Sequence, residues 1–222
     1  MTGTPAPGTP ASTGAGNPRA PGEAPQPSAG WASPGSSAGA WWVVLVASGV
    51  GLLLTTLLAV EEVALIEDPE AVRLWDLSSR VSCSPVLGAW QSSIFGPPNG
   101  LIGAVVFAIL GSSAVDTLFG GHHGRSFLAA LWGMAFTFAL FATWFAFQIA
   151  FVIDSLCLWC AGIATTVLAT CAALTRIVTW AQVWGSGQVQ ASLDRAIASH
   201  VDLIVWTGWW LGIGAVFAIG LA

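Results

Sequence analysis

The sequence predicts an all-α membrane protein, with five transmembrane helices behind a disordered N-terminal tail. Three observations carry this. The 222 residues are 55% hydrophobic and only 8% charged, and mean hydropathy is +0.76. A soluble domain carries about 25% charged residues, so this chain cannot build a water-facing surface. Apolar runs of spanning length follow one another, and prolines cluster ahead of the first. The 13 Trp, the absence of Tyr and the use of Arg for all six basic residues fit the same class. A net charge of −5 excludes a basic nucleic-acid binder. Four unevenly spaced cysteines are too few for a small secreted disulfide scaffold.

Each element follows from local composition. Residues 1–39 hold eight of the twelve prolines, with many Gly, Ala, Ser and Thr. Such a segment cannot bury enough apolar surface to offset its ordering entropy, so it reads as a disordered tail. It is no signal peptide, because no basic stretch precedes an apolar one. The membrane domain is 40–222. Its first span is 40–60, long enough to cross a bilayer, and Glu61 and Glu62 end it. A polar loop with Cys83 follows, closed by Pro97-Pro98. The remaining spans are 101–119, 127–150, 157–180 and 201–221. Gly120 to Arg125 form a short turn, a connection through Asp154 precedes the fourth span, and 181–200 read as interfacial.

Arginine placement sets orientation. With the N-terminus inside, the inner segments carry Arg19, Arg125, Arg176 and Arg195, and the outer ones only Arg73 and Arg80. The tail is then cytoplasmic. Trp41, Trp42, Trp180 and Trp184 fall near the inner interface, while Trp206, Trp209 and Trp210 are harder to place. Whatever the orientation, five spans put the first and third loops on one face. Cys83 and the Cys157-Leu158-Trp159-Cys160 motif therefore share a membrane face.

The C-x-x-C motif at a helix start puts two sulfurs one turn apart, near exposed N–H groups that lower thiol pKa. The adjacent Asp154 acts the other way. With Cys83 on the same face, thiol–disulfide exchange is the expected chemistry. Zinc is the rival use of such a motif and needs four ligands; this face supplies three cysteines and no histidine, so no metal is expected. Cys171 lies eleven residues past Cys160, roughly 16 Å deeper, and is read as packing.

The runs Ser82-Cys83-Ser84-Pro85-Val86-Leu87, Trp90-Gln91-Ser92-Ser93-Ile94-Phe95-Gly96 and Asn99-Gly100-Leu101-Ile102-Gly103, with the distal Cys157-x-x-Cys160, follow one family's order. Over about residues 40–180 the chain resembles the vitamin K epoxide reductase family in its bacterial form. The resemblance implies a four-helix bundle around a quinone of the menaquinone or ubiquinone class. It implies a multi-pass protein of the bacterial cell membrane with its redox cysteines outside. Cys160 would be the thiol nearest the quinone, and Cys157 would exchange with Cys83. Asn99 would donate a hydrogen bond to a quinone carbonyl; taken alone it reads as a helix cap after Pro97-Pro98. Phe95 and Trp159 would pack on the ring, or else are ordinary membrane aromatics. In bacterial members the fifth span leads to a thioredoxin-like domain. Here the partner is expected to be a separate exported thioredoxin-like (DsbA-like) protein.

One departure bears on function. The family's second loop cysteine, eight residues before Cys83 and usually followed by Asp, is Trp75-Asp76 here. The fourth span also has Ala164 where some members carry Tyr. Three readings follow: a partner attacks a Cys83–Cys157 disulfide directly, a partner supplies the missing thiol, or the chain is a catalytically silent scaffold or subunit. Arg80 would lower the Cys83 pKa if the chain turns there; otherwise it is a loop arginine. His122-His123, Asp116 and Asp202 read as solvated positions near span ends, and the acidic loop (Glu61, Glu62, Glu67, Asp68, Glu70, Asp76) as solvated or partner-selecting.

Overall fold

The computed structural model describes residues 34–68, 76, 78 and 80–220. Most of the expected tail with Arg19, and also Glu70, Arg73 and Trp75, lie outside these. The described residues contain α1 (Pro34–Glu67), the short α2 (Ser84–Leu87), a 3-10 turn (Trp90–Ser93), α3 (Asn99–Leu118), α4 (Arg125–Gln148), a π turn (Ile149–Ile153), α5 (Leu158–Trp180), α6 (Gln188–Ala198) and α7 (Val201–Gly220). Among the described residues, five helices are long and apolar enough to cross a membrane. They match the five expected spans, and α6 occupies the stretch read as interfacial.

The first span differs from expectation at both ends. α1 begins at Pro34 and continues to Glu67, about 51 Å at 1.5 Å per residue. That exceeds a hydrocarbon core of about 30 Å. Glu61 and Glu62 end the apolar run but not the helix, because glutamate is a good helix former once the chain has left lipid. Glu62 is buried, 5% exposed, and accepts a hydrogen bond from the Ser92 hydroxyl at 3.2 Å. The loop after α1 folds back over this extension.

The packing centre is α1, with α3 and α5 lying along it, while α3 and α4 barely touch. Close approach of α1 and α3 needs small residues. A Cβ on Gly100 would stand 2.8 Å from the Thr55 carbonyl and 3.0 Å from the Ala59 nitrogen. α4 completes the bundle against α5. The shared core runs from Trp41 and Val44 through Phe107, Leu110 and Leu131 to Leu174 and Ile177. Cys171 is fully buried in it, as a packing residue would be.

α7 is peripheral: 6% of its span is buried, against 44% for α5. Polar contacts fasten it. The Trp209 indole N–H donates to Thr143 on α4 at 2.8 Å, and that of Trp210 to Thr165 on α5 at 3.0 Å. In lipid an unpaired N–H is costly, which explains why these tryptophans sit mid-helix rather than at an interface. Asp202, read as solvated, is 7% exposed and takes two hydrogen bonds from Arg176 of α5, at 2.5 and 3.1 Å. A carboxylate near a span end can be satisfied by an arginine as well as by water. His123 likewise lies within 3.4 Å of exposed Asp116 and packs against Phe127.

Candidate functional site

Cys83, Cys157 and Cys160 meet at one end of the bundle in a cluster with Leu58, Val86, Leu87 and Ile149. Local geometry explains their positions. The π turn ends α4 with Ile149 and Ala150 buried; such turns recur at functional sites. Asp154 then adopts the left-handed conformation, φ 56°, which Asp tolerates better than most residues. This reverses the chain so that Cys157 becomes the N-cap of α5, its sulfur accepting the Cys160 N–H at 3.4 Å.

Cys83 is brought in by a three-bond staple. The Leu156 N–H donates to the Arg80 carbonyl at 2.7 Å, and the Ser82 N–H to the Leu156 carbonyl at 3.1 Å. The buried Ser155 hydroxyl donates to the Ser82 carbonyl at 2.8 Å. The staple joins the residues just before Cys83 to those just before Cys157. From the other side, the Asp76 carboxylate accepts from the Ser82 hydroxyl (2.6 Å), the Cys83 N–H (2.9 Å), the Ser84 N–H (3.3 Å) and the Ser84 hydroxyl (2.5 Å). Burial opposes ionisation of Asp76, but these donors outweigh it and hold its carboxyl below its usual 3.8.

Cys157 stands between the other two cysteines, its side chain within hydrogen-bond contact of Cys83 on one side and of Cys160 on the other. All three cysteines are free and buried. Cys83 is pushed far above the ordinary thiol range, first by that bond to Cys157, then by burial and the Cys157 charge. The Trp159 and Leu158 N–H groups at the start of α5 oppose the shift. Cys157 is also raised, first by its bond to Cys160, with burial adding and the bond from Cys83 opposing. Arg80, three residues before Cys83, is exposed.

Below the thiols lies an apolar cleft between α1, α3, α4 and α5, where α3 and α4 are held apart and Phe217 of α7 reaches in. Of the three thiol residues only Cys160 lines it, with Asn99 and Thr55 as the other polar side chains. Phe141, Phe145 and Phe217 supply aromatic walls. Asn99 opens α3, yet its side chain makes no capping bond. Its amide instead donates to the Gln91 carbonyl at 2.6 Å. One amide hydrogen remains, and the carbonyl oxygen is buried without a partner. Phe95 does not line the cleft; it is 64% exposed and reaches the wall through Phe141, ring centres 5.9 Å apart. Trp159 packs beside the thiols rather than on the cleft. Ala164, at the position noted for lacking tyrosine, lines it.

Sequence reading assigns no role to Ser155 or to the motif serines Ser82 and Ser84, and does not reveal the Glu62–Ser92 pair or the Gln91–Gln148 contact at 3.4 Å. Asp76 stands out in the sequence only as the neighbour of Trp75 and as one of the acidic loop residues. No curated protein matches the chain. The vitamin K epoxide reductase family matches residues 42–175, covering α1 to most of α5 and leaving α7 outside. Members of that family are membrane oxidoreductases linked to quinones. With more than half of its length matched, the chain belongs to the vitamin K epoxide reductase family.

Proposed function

We propose that the protein is a membrane thiol–quinone oxidoreductase that takes electrons from an exported thioredoxin-like dithiol and so supports disulfide formation. The observation that carries this is the order of the clustered thiols, Cys83 against Cys157 and Cys157 against Cys160, of which only Cys160 reaches the cleft.

Each exchange needs a thiolate attacking a disulfide sulfur. With Cys157 and Cys160 oxidised, Cys83 loses its proton and attacks Cys157. The Cys157–Cys160 bond breaks, and Cys160 leaves as a thiolate at the cleft. The partner's thiolate then attacks Cys83 and releases Cys157, and the partner's second thiol resolves the mixed disulfide. Two electrons have entered the Cys157/Cys160 pair. No second loop cysteine is needed in this route, so Trp75 does not block it. The cleft suits a planar ring with a long apolar tail: its walls are aliphatic and aromatic, and Asn99 keeps one amide hydrogen to offer a carbonyl. A quinone bound there supplies a two-electron, two-proton acceptor.

The test is turnover by purified protein given a quinone and a reduced thioredoxin-like protein. Activity should vanish in Cys157→Ser and Cys160→Ser. Turnover that persists in either variant rejects the assignment, and no turnover by the parent supports the silent-scaffold reading instead.

A further inference from the structure

α7 lies outside the stretch that matches the family, yet one of its side chains enters the cleft. Every other described residue lining the cleft falls within 42–175; Phe217 does not. The register of α7 puts it there. Gly220, at the end of the helix, abuts the π turn that follows α4, where a Cβ would stand 2.6 Å from the Ala150 carbonyl oxygen. Ile213 and Phe217 are one turn apart and so share a face. Ile213 is 7% exposed, and Phe217 packs against both the main core and the thiol cluster. The same register sets its depth. Phe217 is three residues before the end of α7, roughly 4.5 Å, and Cys160 is three residues past the Cys157 cap of α5. Asn99 is the first residue of α3. All three therefore lie within about one turn of the thiol end. Phe138, which also lines the cleft, is ten residues before the end of α4, roughly 15 Å deeper.

We infer that Phe217 is a specificity-determining residue: its ring bounds the head-group end of the cleft and limits the width of the ring system admitted at the level of Cys160 and Asn99. This rests on the cleft being a quinone site. A ring that meets both Cys160 and Asn99 lies at the level of Phe217, and its tail runs down past Phe138. The α4 and α5 positions lining the cleft include Ala142, Ala146 and Ala164, too small to bound a ring by themselves. A packed wall has little spare volume, so a wider ring system has to displace the phenyl group. Without that group, space for a second fused ring opens at the reacting end. A one-ring quinone then gains nothing and loses an aromatic contact. α7 is in this way a wall of the site as well as a helix fastened to its outside.

The experiment is equilibrium dialysis of the full-length protein in detergent against empty micelles, with bound quinone read by absorbance. The thiols are oxidised beforehand, so that no electrons pass. The probes are tetramethyl-1,4-benzoquinone and 2,3-dimethyl-1,4-naphthoquinone. Both are fully substituted on the quinone ring and so resist addition of a thiol, and they differ in the fused second ring. Phe217→Ala should move the ratio of the two Kd values about tenfold in favour of the naphthoquinone, and Phe217→Trp should move it the other way. Phe138→Ala, at the tail end, should leave the ratio of these tailless probes unmoved. Phe217→Leu serves if the Ala variant fails to fold, and should shift the ratio in the same direction by less. A ratio that stays within about twofold of the parent in the Phe217 variants, or that shifts as much in Phe138→Ala, overturns the inference and leaves the quinone site standing. A parent that binds neither probe above empty micelles rejects the quinone site, and the inference with it.

Discussion

Replacing Ser155 with alanine removes one hydrogen bond and should change one redox potential. Ser155 is 1% exposed, and its hydroxyl is the partner of the Ser82 carbonyl, in the residue just before Cys83. The substitution leaves that carbonyl short of a donor, at a cost of about 1–3 kcal/mol. With free thiols the loosened loop can swing away and recover part of that cost. With Cys83 bonded to Cys157 it cannot. The disulfide should therefore become easier to reduce by at most that amount, which for a two-electron couple is about 20–65 mV upward. The assay is redox titration of the Cys83–Cys157 pair in a Cys160→Ser background against dithiothreitol, with and without Ser155→Ala. A potential unchanged within about 10 mV in a folded protein would refute the reasoning, because the staple would then contribute nothing to aligning the sulfurs.

Four further outcomes are expected. Gly100→Val should lower stability by about 1–3 kcal/mol in thermal unfolding, since its side chain would press on the Thr55 carbonyl. Arg176→Ala should cost about 3–5 kcal/mol, because it strands the Asp202 carboxylate buried without its partner; protease sensitivity of α7 should rise with it. Asn99→Ala should raise the quinone KM about tenfold, one charge-free hydrogen bond, with a smaller change in the rate of Cys83–Cys157 exchange. The Asp76 carboxyl is held below 3.8 in the folded protein. A depressed carboxyl contributes stability above its unfolded value and loses it as pH falls through the folded one. Amide exchange free energies of the Cys83 loop should therefore be flat over about pH 5 to 8 and fall only below 3.8.

The spans were legible because apolar runs of membrane length admit few other structures. The shared face of Cys83 and the C-x-x-C motif was legible from span parity alone. What stayed hidden depends on partners far apart in sequence. Ser155 meets Ser82 across 73 residues, and nothing local marks either serine. Glu62 reads as the end of a span, and only the folded loop shows it as the acceptor beneath Ser92. Asp202 sits at a helix start where water was the simplest partner, yet Arg176 reaches it from α5. Asp76 had a signal in its spacing from Cys83, but its four donors are set by the turn of the chain into α2. Phe95 shows the converse: its motif pointed at the ring site, whereas its side chain stands outside the cleft wall.

The central claim is that electrons pass from Cys83 to Cys157 and only then to Cys160. Disulfide mapping of the full-length Cys160→Ser variant after mild oxidation tests it most directly. The account predicts a Cys83–Cys157 linkage, with Cys171 free. Recovery of Cys83 and Cys157 as separate thiols, or a disulfide that includes Cys171, would contradict it.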